Sequence, residues 1–358
     1  MNTITQVLKR YNIDRSTHAF GNGHINDTYR IDGTDYILQR INTAVFTRPG
    51  DLMENIDNVT AYLRKKIAEV GGDPDKETLT VVKTADGQNY CQLEEGQVYR
   101  IYKYIEDTKT IEEDKTLEDL YEAGVGFGHF QKLLKDYPVE SLHETIVNFH
   151  HTPLRVEALK EAIRLNKAGR ADSVKEEIAF ALEQAAFADQ VVKGIASGEI
   201  PVRVTHNDTK INNILFDQHS GKAVCVIDLD TVMPGSMLYD FGDALRMGGS
   251  TAAEDETDLN KVWFDVECFR YFAKGYLSEM KDALTGKELE LLPFSCRLLT
   301  YECGIRFLTD YLNGDTYFKI HREHHNLDRA RNQFKLVADM ASKEAQMAEI
   351  VKQLMAEA

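Results

Sequence analysis

Residues 201–243 read PVRVTHNDTKINNILFDQHSGKAVCVIDLDTVMPGSMLYDFGD, and this segment constrains the fold more than any other. The strand VRVT runs into a polar elbow, HND, and NILFD and AVCVIDLD are two apolar strands joined through Ser220-Gly221. If Ser220 and Gly221 hold the two central positions of a tight hairpin, Asn213 faces Asp228 at the open end, close to Asp208. An amide oxygen beside a carboxylate suits a hard cation such as Mg²⁺, which takes one or two protein oxygens and completes its shell with phosphate and water. The H-x-D-x-x-x-x-N spacing of His206, Asp208 and Asn213, followed by Asp228 at a strand end, is the arrangement that kinase-type phosphoryl transfer requires. There an Asp receives the proton of the acceptor hydroxyl while an Asn and a second Asp hold the metal. Asp208 is therefore the candidate base, and Asn213 and Asp228 are the candidate metal ligands. A merely solvated acidic hairpin would not explain why polar groups flank strands as apolar as NILF and AVCVI.

Upstream, residues 17 to about 106 alternate short strands with turns. HAFGNG leads into HINDTYRI, Asp32-Gly33 reverses the chain, and DYILQRI returns, which predicts three antiparallel strands. Between 50 and 69, Leu52, Ile56, Val59, Leu63 and Ile67 recur at three- and four-residue steps and predict an amphipathic helix. LTVVKT, NYCQL and the alternating VYRIYKYI of residues 98–105 follow as strands, separated by Asp86-Gly87 and Glu95-Gly96. Beyond Ile105 the pattern turns helical over 117–137, 155–193, 257–281 and from 288 onward. Gly124, Gly126 and Gly128 in the first of these helices imply that something packs closely against it. The division expected is a strand-rich first lobe over 1–105 and a mainly helical second lobe over 106–358.

The 42 Lys and Arg against 58 Asp and Glu give a net charge of −16, which argues against a nucleic-acid partner bound through a broad basic face. No apolar run reaches the ~20 residues of a bilayer span and the start MNTITQVLKR is not a secretion signal, so neither a membrane association nor export is expected, and the location expected is the cytoplasm. Five scattered cysteines without a C-x-x-C pair read as free thiols. His150-His151 and the group His321, His324 and His325 lack zinc spacing and read as solvated loop or cap histidines. Asp230, Asp240 and Asp243 are expected to be structural, with Asp240 bracing the elbow through backbone amides.

HNDTKINN with IDLDTVMPGSMLYDFGD resembles the phosphotransferase family of aminoglycoside and choline kinases. Within it, GNGHINDTY, YILQRIN, VYRIYKYIE, FHHTPLR, ETDL, LLPFS and ECGIRFLTDYLNGDTYF are similar, in the same order, to the branch that phosphorylates N-acetylhexosamines. The resemblance implies an α+β, two-lobed protein-kinase-like fold, with a small antiparallel sheet and one helix in the first lobe and a larger, mainly helical second lobe. It also implies ATP, Mg²⁺ and an amino-sugar acceptor, with phosphate placed on the anomeric 1-hydroxyl of N-acetylglucosamine or N-acetylgalactosamine.

In such a fold the Tyr102, Tyr104 and Ile105 segment would meet adenine, and Gly21 and Gly23 would let backbone amides approach phosphates. No Walker A sequence is present. YILQRI lacks the lysine that many kinases carry on the third strand; Gln39 and Arg40 stand nearby, and alternation allows only one of them to face the nucleotide. Lys210, two residues beyond Asp208, is a candidate cation for the transferring phosphoryl group. For the acceptor, the resemblance carries over Thr231, Arg306 and Tyr317, with Asn212 and His24 as further positions. The sequence alone leaves other acceptors open, such as choline, an aminoglycoside or another sugar, as well as a non-catalytic kinase-like scaffold.

Overall fold

The computed structural model describes residues 3–21, 25–112 and 114–357. In chain order it begins with helix α1 (Thr3–Arg10) and strands β1 (Thr17–Ala19), β2 (Asp27–Ile31) and β3 (Tyr36–Ile41). Helices α2 (Pro49–Glu69) and α3 (Pro74–Glu77) precede β4 (Val81–Val82), β5 (Cys91–Gln92), β6 (Val98–Lys103) and β7 (Thr108–Lys109). Helices α4 (Leu117–Leu133), α5 (Thr152–Leu165), α6 (Lys175–Gln184) and α7 (Gln190–Ser197) lead to β8 (Arg203–Thr205) and the hairpin strands β9 (Ile214–Asp217) and β10 (Ala223–Val226). The chain closes with α8 (Met237–Gly248), α9 (Val266–Met280), α10 (Gly286–Asn313) and α11 (His325–Glu357).

The chain condenses into two compact units. The first comprises Met1–Ile111, Leu133–Val147 and Asn212–Pro234; the second comprises Glu112–Lys132, Asn148–Ile211 and Gly235–Ala358. In the first unit an antiparallel sheet runs β1-β2-β3-β6-β4, with β5 also on β6, and a second sheet runs β10-β9-β7. Asp32-Gly33 forms the expected turn, with Gly33 at φ 67 in the left-handed region that glycine enters without steric cost. All five apolar positions read onto one face of α2 are at most 2 % exposed, so the 3.6-residue period is realised as burial.

The second unit is helical, and its core gathers α5, α6, α10 and α11 around Tyr301, Ile305, Leu308 and Phe334. Gly124 and Gly128 do meet a neighbour. A Cβ on Gly124 would lie 2.2 Å from the Phe272 carbonyl oxygen, and one on Gly275 of α9 would lie 2.0 Å from the Tyr121 carbonyl oxygen, so α4 and α9 cross at backbone contact. Among the described residues no helix is long and apolar enough to cross a membrane.

Four expectations are corrected. The helix expected over 155–193 is broken into three, first where Asn166 enters the left-handed conformation at φ 41. The stretch from 288 breaks at Gly314, φ 98, which closes α10 before α11 begins. Two histidine readings also fail: His151 does cap α5, but His150 and His325 are buried, paired with Glu302 and Asp255.

Candidate functional site

In the second unit the chain turns sharply after β8. Asn207 sits at φ 65, a left-handed conformation that Asn tolerates better than most residues, and two backbone amides converge there on one carboxylate. Asp240, on the first turn of α8, accepts from the His206 amide at 2.9 Å, the Asn207 amide at 2.7 Å and the Gln131 side chain at 2.6 Å. This is the bracing expected of it. Its neighbour Asp243 accepts from the Thr209 amide at 3.1 Å, and the Thr209 hydroxyl donates to the Asp240 carbonyl at 2.6 Å. His206, fully buried against Phe127 and Phe130, accepts the Asp208 amide on Nδ1 at 3.2 Å. Residues 206–209 are thus held on every side by backbone bonds, while the Asp208 side chain keeps 22 % of its surface exposed.

Lys210 Nζ lies 3.0 Å from Asp208 Oδ1. Burial works to raise the Asp208 carboxyl, but Lys210, with His206 and Arg246 behind it, outweighs burial and holds the carboxyl below the usual carboxylate range. Asp208 in turn lifts the Lys210 ammonium above its ordinary range against the cost of burial. The Asp208 carboxyl is therefore ionised throughout the neutral range, and with Asp208 as the candidate base, activity should show no carboxylate limb between about pH 5 and 8. Lys210→Met removes the opposing charge and leaves burial to dominate. Its acid limb in kcat/KM should move upward, which a pH–rate profile would reveal.

Arg306 of α10 has an unusual surround. Its guanidinium lies 5.6 Å from the centre of the Phe149 ring, 5.9 Å from Tyr317 and 5.5 Å from Phe318. Among the described residues no carboxylate lies within ion-pair distance of it. Glu302, one turn earlier, binds His150 Nδ1 at 2.8 Å and the Thr152 hydroxyl at 2.6 Å. His150 Nε2 reaches the Asn207 carbonyl at 3.3 Å, so this buried pair joins the Arg306 helix to the residue before Asp208. Burial disfavours charge on His150, yet Glu302 beside it raises its pKa, and the ring can donate from both nitrogens. Tyr317 is 64 % exposed and held by its amide, which donates to Asp310 at 2.8 Å.

The first unit holds the remaining candidates. The hairpin register differs by one residue from the expected one: Ile214 pairs with Val226, and the Ile227 amide donates to the Asn213 carbonyl at 2.9 Å. Asn213 thus faces Ile227, not Asp228. The cause is the turn, which spans Gln218–Gly221 because Asp217 accepts from the amides of His219 and Ser220 and from the Ser220 hydroxyl; a bulge between Ala223 and Cys225 follows. Asn213 is 8 % exposed at the base of β9. Asp228 is exposed and left-handed, φ 58 and ψ 58, and opens the short turn Leu229–Thr231 that buries Thr231.

Asn212 has a buried amide oxygen and Tyr102 a buried hydroxyl, each without a hydrogen-bond partner among the described residues. The Tyr104 amide donates to the Asp35 carbonyl at 2.6 Å, and the Ile105 carbonyl accepts from the Thr108 hydroxyl at 2.8 Å. Gln39 and Arg40 point to opposite faces: Gln39 turns inward to Arg100 and Thr28, and Arg40 outward to Asp27. Gly21 has φ 72, which a glycine accommodates freely. Gly23 and His24 lie outside the described residues.

Asp228 and Asn213 supply hard oxygens, and among the described residues no group of three or more His, Cys, Asp or Glu forms a cage. That donor set fits a Mg²⁺ that depends on nucleotide phosphates to complete its shell. Sequence reasoning assigned no role to Arg100 or Glu302 and read His150 as a solvated loop or cap residue. Their partners lie 130 to 152 residues away, although VYRIYKYIE, FHHTPLR and ECGIRF, which contain them, were all noted as segments.

The chain matches the model of the phosphotransferase enzyme family over residues 16–271. Among solved structures, the microcompartment-associated aminopropanol kinase is similar at 16 % identity with a TM-score of 0.58, over 96 % of this chain and 98 % of that one. An aminoglycoside phosphotransferase from Alicyclobacillus acidocaldarius subsp. acidocaldarius DSM 446 is similar at 13 % identity and TM-score 0.60, over 99 % and 96 %. An amicoumacin kinase solved with AMP-PNP, Ca²⁺ and its substrate is similar at 14 % identity and TM-score 0.57, over 94 % and 88 %. At these identities the likeness is one of fold: an antiparallel sheet region followed by a helical region, in the protein-kinase-like α+β arrangement.

Proposed function

The chain belongs to the phosphotransferase enzyme family, and from that premise we propose that it is an ATP- and Mg²⁺-dependent N-acetylhexosamine 1-kinase. Residues 1–105 serve nucleotide binding in this reading, and 106–358 serve catalysis and acceptor binding, with the metal ligands on the β9–β10 hairpin. The adenine contacts fall to Tyr102, Tyr104 and Ile105, and the phosphate contacts to the Gly21–Gly23 loop. The nucleotide analogue and divalent cation held by the amicoumacin kinase support the same co-substrate here.

The observation that carries the acceptor assignment is Arg306, a cation ringed by aromatic faces and, among the described residues, with no carboxylate at ion-pair distance, Glu302 one turn away acting on it only through space. A site built for choline, an aminoglycoside or an aminopropanol would set acids or a bare aromatic cage against the ammonium group. A fixed guanidinium repels such an acceptor, and Arg155, whose charge Arg306 itself disfavours after burial, adds to that field. The planar fork suits a neutral carbonyl oxygen, the group an acetamido sugar presents. Thr231, Tyr317, Asn212 and His24 complete the proposed acceptor contacts.

The anomeric hydroxyl is more acidic than an ordinary alcohol because the ring oxygen withdraws electron density. Asp208 hydrogen-bonds this hydroxyl, aligns its oxygen for in-line attack on the γ-phosphorus, and takes the proton as the new P–O bond forms and the bond to ADP breaks. A carboxylate held below its usual range is a weak base, yet the loose transition state of phosphoryl transfer asks for alignment more than for basicity. Lys210 neutralises charge beside the transferring group; Asn213 and Asp228 would hold a Mg²⁺, which would supply further charge neutralisation on the phosphates.

The test is ADP release measured with N-acetylglucosamine, N-acetylgalactosamine, glucose, choline, an aminoglycoside and an aminopropanol, with and without Mg²⁺. Turnover of the N-acetylhexosamines, with phosphate on C1 by NMR, is the expected result. Preference for an amine would overturn the acceptor assignment, and nucleotide binding without turnover of anything would favour a scaffold. Arg306→Leu should raise the hexosamine KM about 10- to 100-fold while the KM for ATP stays unchanged, as expected when an uncompensated polar contact is lost.

A further inference from the structure

The third strand carries Gln39 where many kinases carry a lysine, and the cation nearest to that position is Arg100 of the adjacent strand β6. Arg100 is 1 % exposed. Its Nε and Nη2 donate to Gln39 Oε1 at 3.0 and 2.9 Å, and its Nη1 lies 2.5 Å from Asp230 Oδ1. Asp230 accepts from Asn26 on its other oxygen at 2.7 Å, and Asn26 accepts the Asn42 amide at 3.0 Å. Gln39 in turn donates to the Thr28 hydroxyl at 3.2 Å. One guanidinium thus ties β3 and β6 to the turn that begins at Asp228.

We propose that Arg100 is a positioning residue for the metal site: through Asp230 it locks the Leu229–Thr231 turn and so fixes the Asp228 carboxylate, doing within the fold what a third-strand lysine does by touching phosphate. The proposal rests on the reading of Asp228 as a metal ligand.

Two observations separate this from a purely stabilising role, set against a general expectation. A buried ion pair is a poor source of stability, because desolvating both charges offsets most of their attraction, and in some proteins its value lies in fixing one arrangement against others. Asp228 sits in a left-handed conformation that a non-glycine residue leaves readily unless its surroundings hold it. The flanking chain is anchored on the same side: the Thr145 hydroxyl reaches the Asp230 carbonyl at 3.4 Å, and Asn55 of α2 donates to the Val232 carbonyl at 3.1 Å. Burial disfavours the charge on Arg100, but Asp230, and more weakly Asp228, raise its pKa, so the guanidinium is a fixed positive charge at this turn. A lysine could meet Gln39 or Asp230, whereas the planar fork meets both at once.

The test uses the full-length protein and the double variant Arg100→Met/Asp230→Asn, which removes both charges and so buries neither one alone, together with Arg100→Lys. Two readouts require no acceptor: the Mg²⁺ concentration that half-saturates binding of a fluorescent ADP analogue, and hydrogen exchange of amides 227–232 without metal. In the double variant the Mg²⁺ requirement should rise at least about tenfold, as when an outer partner of a metal ligand is removed, and exchange at 227–232 should quicken while metal-free ADP affinity holds. Arg100→Lys, which keeps the charge but spans only one partner, should fall between; if the double variant does not fold, this variant decides. A folded variant with the Mg²⁺ requirement and exchange of the parent would overturn the proposal. So would a parent protein whose ADP binding ignores Mg²⁺, which would overturn the metal reading as well. Failure of the hexosamine assignment alone touches neither readout.

Discussion

Asp208→Asn should lower kcat for phosphoryl transfer by about 10²- to 10⁴-fold, the usual range when a positioned general base is removed. The substitution keeps the shape of the side chain and the three features that hold the elbow: the Asp240 bonds to residues 206 and 207, the His206 contact to the Asp208 amide, and the Thr209 anchors. It replaces the carboxylate, which can take the proton, by a neutral amide that cannot. Binding of an ADP analogue should therefore stay near that of the parent. Single-turnover kinetics alongside nucleotide titration would separate the two effects. A variant within a fewfold of the parent in kcat would refute the assignment of Asp208.

The second large effect is on stability. Gly275→Ala should destabilise the second unit by about 3 kcal/mol or more, because the added methyl would lie 2.0 Å from the Tyr121 carbonyl oxygen of α4. The atom met is backbone, so no rotamer change relieves the clash, and the two helices must move apart. Gly124→Ala meets the Phe272 carbonyl oxygen at 2.2 Å across the same crossing, so the two substitutions relieve each other once the helices have separated. The double variant should therefore cost less than the sum of the singles. Thermal unfolding by circular dichroism would show this, and a Gly275→Ala protein as stable as the parent would mean that α4 and α9 do not meet at this contact.

What could be read from the sequence was local. The one-faced apolar spacing of α2, the Asp32-Gly33 turn and the glycines of α4 each state their structural consequence within a few residues. So did the elbow, since His206, Asp208 and Asn213 lie within one short segment and Asp240 follows on the next helix. What escaped depended on distant partners or on side chains that reset a turn. Arg100 alternates with apolar residues in VYRIYKYI and looks like the solvent face of a strand, yet β6 is buried on both faces and its counter-charge is Asp230. The hairpin register slipped by one because Asp217 folds back onto the loop amides, an effect no strand pattern encodes. His150 looked like a loop residue because Glu302, which draws it inside, is 152 positions away.

The composition of the first compact unit has a consequence for how the protein is made. Its segments end at Ile111, resume at Leu133 and again at Asn212, and close only at Pro234. During synthesis β9 and β10, and with them Asp230, emerge roughly 120 residues after Ile111, a delay of about 6 to 25 s at ordinary elongation rates. Throughout that interval β7 has no edge to pair with and Arg100 no counter-charge, so the nascent N-terminal sheet waits in an incomplete state. A ribosome stalled before residue 212 should therefore carry a protease-sensitive first unit, and one stalled after 234 has emerged should carry a resistant one.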